Sequence, residues 1–419
     1  MSEWETVSIA QLGRVVTGKT PPTASAEYFG GDELFVSPRD LSRNSYYVAE
    51  TETRITSKAL EKFKNQVIPR NSIIFTSLSF AFGKMGIAQR SLLTNQQINS
   101  VIVNSDNNYK FVFYLLKVYE DIIFSYNSGI DTPIVPKSVF EKIKVRIPQK
   151  KIQVKIAGIL SAYDDLIENN RRRIALLERM AEQLYREWFV RFRFPGDKKK
   201  VKFINGLPQG WRTVPLAKAF QFTGGATPAK DIARNWTDGT INWFTPTDIT
   251  AADGIFLEQS GMQCTDEGLA NCSAKLFPPY SVMMTSRATI GAIGINILPA
   301  CTNQGFIACI PNERYPLGYL YHWLKLSKSH FLSLSGGATF PELTKGTFKR
   351  IEILTPPAHL MDEFERRIAP MFKAVETLQK AIVSMTKTRD LLLPRLISGK
   401  LRVDKLDIQF PPSMQAESA

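Results

Sequence analysis

The sequence predicts an α+β protein. Two mixed α/β globular units are separated by an antiparallel pair of long coiled-coil helices, and the halves form an internal repeat with pseudo-two-fold symmetry. Three observations predict this: a sustained apolar stripe at helical spacing, its recurrence 208 positions later, and one series of motifs ahead of each copy.

The first stripe lies in residues 152–194. Ile156, Leu160, Tyr163, Ile167, Asn170, Ile174, Leu177, Ala181, Leu184 and Trp188 alternate spacings of four and three. That is the seam of a helix buried narrowly against another helix. At 1.5 Å per residue it is about 50 Å long, far more than an ordinary globular helix. Arg171, Arg172, Arg173, Glu178, Arg179 and Glu182 fall off the seam, on a face predicted to be solvated, and so does the pair Asp164-Asp165. Asn170 interrupts the seam, as a residue that fixes register does. The partner is Phe364, Ile368, Met371, Val375, Leu378, Ile382, Met385, Arg389, Leu392 and Leu396. Here Pro370 predicts a kink or a break one turn in, and Arg389 replaces an apolar seam residue.

Ahead of each helix runs the same series. Trp4 to Ala10 matches Trp211 to Ala217, Thr20-Pro21 matches Thr227-Pro228, and Pro38-Arg39-Asp40-Leu41 matches Pro246-Thr247-Asp248-Ile249. Thr76-Ser77 leads to Gly83-Lys84-Met85-Gly86-Ile87 as Thr285-Ser286 leads to Gly291-Ala292-Ile293-Gly294-Ile295. Asn95-Gln96 matches Asn303-Gln304, and Phe140 to Pro148 matches Phe348 to Pro356. Strands are predicted at 72–76, 100–103, 281–285 and 306–310, and helices at 110–126 and 317–334. The boundaries are therefore 1–150 and 195–357 for the globular units and 151–194 and 358–403 for the helices. A loose tail is expected at 404–419. The first helix joins the end of one unit to the start of the other. Full pairing with the second helix then requires antiparallel chains with one unit at each end, so that one chain imitates a symmetric dimer.

Hydrophobic content of 44% and charged content of 22% are ordinary for folded protein, and 419 residues allow two or more domains. The net charge of +14 points to a polyanion, of which nucleic acid is the commonest. No uncharged apolar run approaches a spanning helix. The acidic start Met1-Ser2-Glu3-Trp4-Glu5 has no signal-peptide hydrophobic region, so a cytoplasmic protein is expected.

Signals for catalysis are thin. Gly13 to Thr20 matches the phosphate-loop pattern GxxxxGK[ST], but Pro21-Pro22 stands where its helix should start, and the repeat has Phe220 and Ala226 at Gly13 and Lys19. The remaining reading is a loop near DNA, with Gly18 allowing close approach and Lys19 meeting phosphate. Phe277-Pro278-Pro279-Tyr280 resembles an adenine-methyltransferase motif, but Phe277 has no acceptor for a flipped base, and the repeat sets Pro278 against Pro69 as a turn. The only [D/E]xK nuclease pattern, Asp197-Lys198-Lys199, is in the linker. Cys264, Cys272, Cys301 and Cys309 form no CxxC pair, so buried reduced thiols are expected rather than zinc. No catalytic, cofactor-binding or metal-binding residue is assigned.

The order of these parts, with Trp188-Phe189-Val190-Arg191-Phe192, Gly206-Leu207-Pro208-Gln209-Gly210-Trp211 and Leu396-Ile397-Ser398-Gly399-Lys400-Leu401-Arg402-Val403, closely resembles the specificity subunit of type I restriction–modification systems. The resemblance covers residues 4–403. It implies target recognition domains that read the two parts of a split, asymmetric DNA site, and helices that set the distance between those parts. It also implies docking of two adenine-N6 methyltransferase subunits, which bind S-adenosylmethionine, and of two ATP-dependent restriction subunits, so those cofactors are expected on partners.

Reading DNA needs cations for phosphate and amide, hydroxyl or guanidinium groups for base edges. In the first unit Lys19, Thr20, Arg39, Asp40, Ser77, Ser79, Lys84, Asn95 and Gln96 offer these. In the second they are Thr227, Lys230, Thr247, Asp248, Arg287, Thr289, Asn303 and Gln304. Positions that differ between units, Arg39 against Thr247 and Lys84 against Ala292, suit selective contact. Asn95/Asn303 and Gln96/Gln304 recur unchanged and suit turn stabilisation as well. Two rival functions remain. One is a self-sufficient methyltransferase or NTP-hydrolysing enzyme, the other a coiled-coil adaptor without sequence preference. Turnover by the purified chain would favour the first, and absence of a binding consensus the second.

Overall fold

The computed structural model describes residues 4–43, 45–78, 81, 83–128, 133–195, 202–204, 206–336 and 341–408. They fall into two compact units: Met1–Asn169 with Ile382–Ala419, and Asn170–Ala381.

In the first unit the β-branched and aromatic run Ile73–Thr76 is buried along its whole length and lies in the middle of a five-stranded sheet. The strand order is Gly13–Thr17, Ile98–Val103, Ile73–Thr76, Met85–Ala88, Tyr47–Val48, antiparallel except for the last pair. A three-stranded sheet joins Thr53–Ile55, Phe29–Val36 and Leu92–Thr94. Glu5–Ser8 pairs with Lys144–Ile147, which brings the end of the domain back to its start. Helix Tyr109–Val118 carries apolar residues on nearly every side, and Phe111 to Leu116 are all buried, as a central helix requires.

The second unit repeats this topology strand for strand. Its five-stranded sheet runs Gln221–Gly224, Phe306–Ile310, Val282–Thr285, Ile293–Asn296, Phe256–Leu257, and its three-stranded sheet Gln263–Cys264, Ile241–Phe244, Ala300–Thr302. Arg212–Pro215 pairs with Glu352–Thr355, as Glu5–Ser8 does with its partner. The two predicted helices at 110–126 and 317–334 each divide, into Tyr109–Val118 with Glu120–Ser125 and Leu317–Leu326 with Lys328–Leu334. The bend falls at corresponding residues, Tyr119 and Ser327. It turns Ile123 and Phe331, also counterparts, into fully buried positions.

The long helices run Lys150–Tyr185, closed by a π-type turn at Arg186–Val190, and Ala358–Ile397. The first therefore stops short of residue 194. The second is unbroken, so of the kink or break expected at Pro370 the break does not occur. That proline is exposed, so the carbonyl of Arg366, four residues back, faces water once the ring removes its donor. No predicted seam residue of either helix is exposed.

Inside the first unit Ile156, Ala157 and Leu160 join Leu393, Leu396 and Ile397 in one core. Asp164 meets Arg389, while Lys155 Nζ donates to the Asp404 carbonyl at 3.0 Å, so the segments run antiparallel there. Inside the second unit Ala181, Tyr185, Trp188 and Phe189 share a core with Phe364, Ile368 and Phe372, again antiparallel: Leu177 lies by Phe372 and Val375, Trp188 by Phe364.

The solvated face needs correcting. Arg172, Arg173 and Arg179 are exposed, but Arg171, Glu178 and Glu182 are half-buried where the second domain packs beside the helix. Arg171 pairs with Asp253 at 2.6 Å and Glu182 with Lys325 at 3.0 Å. Asp164 is not solvated at all. Only 3% exposed, it accepts the Tyr114 hydroxyl at 2.5 Å and pairs with Arg389, itself 4% exposed. Seam position 389 thus holds a guanidinium because a carboxylate waits for it.

Candidate nucleic-acid interface

In the first unit four loops meet where strands of the two sheets end. The Gly18 N–H donates to the Ile98 carbonyl, Asn95 N–H to Val36, and Ser77 N–H to Gln97, while Lys84 Nζ reaches the Pro38 carbonyl at 3.3 Å. Gly18 is required there: a Cβ would stand 2.2 Å from the Asn95 carbonyl oxygen. Its close approach is to this turn. Gly13–Thr17 is a strand, and no helix opens at Gly18, so the phosphate-loop pattern has lost its geometry.

On this cluster Arg39 and Gln96 are exposed, and Lys19, also exposed, lies 5.7 Å from the centre of the Phe63 ring. Thr20 donates to Gln96 Oε1 at 2.7 Å. The remaining candidates are occupied locally. Asp40 accepts from Ser37 and from the Glu52 N–H, and Asn95 accepts from the Gln97 N–H. Buried Ser77 donates to the Gln97 carbonyl. Ser79 lies outside the described residues.

The second unit builds the same cluster. Ala226 N–H donates to Thr302, Asn303 N–H to Phe244 and Ser286 N–H to Gly305. Gly225 takes the place of Gly18, with a Cβ position 2.0 Å from the Thr302 carbonyl oxygen. Thr227 donates to Gln304 Oε1 at 2.7 Å, repeating Thr20 and Gln96. Asp248 repeats Asp40, accepting from Thr245 and from the Gly261 N–H, and Asn303 accepts from the Gly305 N–H. Thr247, Arg287, Thr289 and Gln304 are exposed. Arg287 is engaged by Glu342 at 2.9 Å, and the Thr289 carbonyl accepts from Thr285. Lys230 lies 5.9 Å from the Trp243 ring centre, as Lys19 does from Phe63, although the two lysines occupy different places in the repeat.

Each unit therefore offers one loop cluster with an aromatic-supported lysine and an exposed glutamine locked to a threonine. Arg39 and Lys84 add positive charge only in the first, Arg287 only in the second. Such groups can bind phosphate and face base edges. Phe63 and Trp243 escaped the sequence reading. Only a pattern of aromatic residues distant in sequence could have pointed to them.

Other candidates fall elsewhere. Phe277 bridges to Ala300, and Tyr280, at φ 61°, makes the turn before a strand, as Asn71 does at φ 66°. Cys264, Cys301 and Cys309 are buried and Cys272 half-buried, all as free thiols. The Asp197-Lys198-Lys199 pattern is outside the described residues. Among the described residues, no helix is long and apolar enough to cross a membrane.

The type I restriction modification DNA specificity domain model matches twice, at residues 1–179 and 208–387. The type I restriction enzyme MjaIX specificity subunit of Methanocaldococcus jannaschii is 27% identical over 418 residues, 96% of this chain and 95% of its own. The HindI specificity subunit of Haemophilus influenzae is 23% identical over 474 aligned positions, 96% of this chain and all of its own. The crystal structure of the type I restriction–modification S subunit from M. genitalium superposes with a TM-score of 0.58 at 16% identity. It covers 94% of this chain and 96% of that one, and so shares the fold.

Proposed function

Because this chain belongs to the type I restriction modification DNA specificity family, we propose that each loop cluster reads one part of a bipartite, asymmetric DNA site. The chain is the DNA specificity subunit of a type I system, a non-catalytic role. The observation that carries the reading is the pair of matching clusters. Each has the Thr–Gln bond at 2.7 Å and a lysine over an aromatic ring, and they differ in the charges that would select bases.

In this reading Lys19 and Lys230 meet phosphate, while Arg39, Lys84, Gln96, Thr247, Arg287, Thr289 and Gln304 face bases. Asp40, Asp248, Ser77, Asn95, Asn303, Thr20 and Thr227 hold the loops that carry them. Residues 1–150 and 195–357 act as the target recognition domains. Residues 151–194 and 358–403 act as spacers that set the interval between half-sites, about one DNA turn or ~34 Å, and 404–419 as a tail. The duplicated helix surfaces dock two methyltransferase subunits carrying S-adenosylmethionine, joined by two ATP- and Mg-dependent restriction subunits, in the cytoplasm.

Mapping methylated positions in cells that express this chain with its methyltransferase tests the reading. A two-part consensus with a fixed gap is expected, and removing matched turns from both helices should change the gap. Methylation without a consensus, or a gap indifferent to helix length, contradicts it. Binding by the complex should also weaken steeply with salt.

A further inference from the structure

Duplication left the two long helices with nearly interchangeable seams. Ile156 corresponds to Phe364, Leu160 to Ile368, Ile167 to Val375 and Ile174 to Ile382. Nothing in those apolar residues makes the first helix prefer the second over another copy of itself. The same offset carries Asp164 to Phe372 and Arg389 to Ala181. One pair of facing positions therefore holds a buried carboxylate and guanidinium in the first unit, and a ring and a methyl group in the second unit's core.

The surroundings keep their character. Lys117 lies 6.0 Å from the Phe113 ring centre and Lys325 lies 5.9 Å from that of its counterpart Tyr321. Lys325 pairs with Glu182, and Lys117 feels Asp390, the counterpart of Glu182. Tyr114, the hydroxyl donor to Asp164, becomes His322, 5.7 Å ring to ring from Phe372.

We infer that the Asp164–Arg389 pair is a pairing key, making the first long helix fit the second and reject the same helix of a second copy of this chain. If two first helices paired antiparallel, each Asp164 would face an Ala181 and keep only the Tyr114 hydroxyl. If two second helices paired, each Arg389 would face a Phe372. A swapped dimer built from like helices therefore carries four buried charges separated from their partners, and breaking a buried pair is strongly unfavourable. A single polar contact in an apolar seam is a well-attested way to choose partners. The inference concerns association of the chain and does not depend on DNA reading.

Sedimentation of the refolded full-length chain over a wide concentration range tests it, with melting curves to establish folding. Two variants remove the asymmetry in opposite ways. Asp164→Phe with Arg389→Ala copies the second unit's residues into the first, and Phe372→Asp with Ala181→Arg copies the first unit's into the second. Both allow like helices to pair, and each should dimerise ~100-fold more tightly than the parent chain. Asp164→Arg with Arg389→Asp reverses the pair but keeps the asymmetry, and should stay monomeric like the parent. The inference is overturned if a folded symmetrised variant dimerises no better than the parent, or if the reversed variant dimerises as strongly as the symmetrised ones. Two symmetrised variants are used because either one alone could fail to fold.

Discussion

The helix segments in the two units solve one packing problem in opposite ways. The first buries the polar chain Tyr114–Asp164–Arg389 and the second an aromatic group of Tyr185, His322 and Phe372. Burial opposes the charge on Arg389, but the carboxylates of Asp164 and Asp390 outweigh it and hold its pKa above the usual value. A buried pair of this kind adds little net stability over an apolar one of equal volume, yet is costly to break. The difference teaches that duplication can keep one packing arrangement in two halves while only one of them places a buried ion pair in it.

The largest expected effect breaks that comparison. Arg389→Ala should cost the first unit about 3–5 kcal/mol, because Asp164 stays buried without its cation. Hydrogen exchange should locate the loss in the first unit and leave the second unchanged.

A smaller effect sharpens it through pH. Burial raises Glu365 to about 7, outweighing the opposite effect of the Gly318 backbone beside it. The counterpart is Ala157. A raised carboxyl favours folding below pH 4.5 and loses that contribution as pH climbs through about 7. Glu365→Gln should therefore stabilise the second unit at pH 8, by on the order of 2 kcal/mol, and leave it nearly unchanged at pH 4. Burial lowers His322 to about 4, with the opposite sign. Its contribution is present above pH 6.5 and lost as pH falls toward about 4. Tyr114 in the same place removes this one contribution from the first unit, and chemical denaturation of His322→Phe across pH 4–7 should show a flattened acid limb.

Smaller still, Gln304→Ala should weaken DNA binding by the complex by about 1 kcal/mol, roughly fivefold, and relax only one half of the site. Gln96→Ala should relax the other half, as competition with half-site variants would show. The least effect is expected at Tyr280, whose φ of 61° suits asparagine, the residue its counterpart Asn71 supplies. Tyr280→Asn should raise stability by at most about 1 kcal/mol, read from the melting temperature.

The repeat, both seams and two adjacent strands of each five-stranded sheet were legible because each leaves a period or a recurring motif in the chain. The Thr20–Gln96 and Thr227–Gln304 bonds were half legible: the residues recurred, but their joining needed strand ends to meet. Asp164 was misread because a carboxylate at an off-seam position looks solvated until a domain surface and an arginine 225 residues away enclose it. Pro370 offered a kink or a break, and the break is avoided because a solvated carbonyl tolerates the ring. The supports of Lys19 and Lys230 were hidden because Phe63 and Trp243 arrive from remote stretches in different registers.

The central claim is that the two clusters read separate parts of one site. Its most direct test replaces residues 211–356 with the matching domain of another family member and maps methylation in cells supplying the methyltransferase. One half of the recognised sequence should change while the other half and the gap persist. Change in both halves, or in neither, would contradict the account.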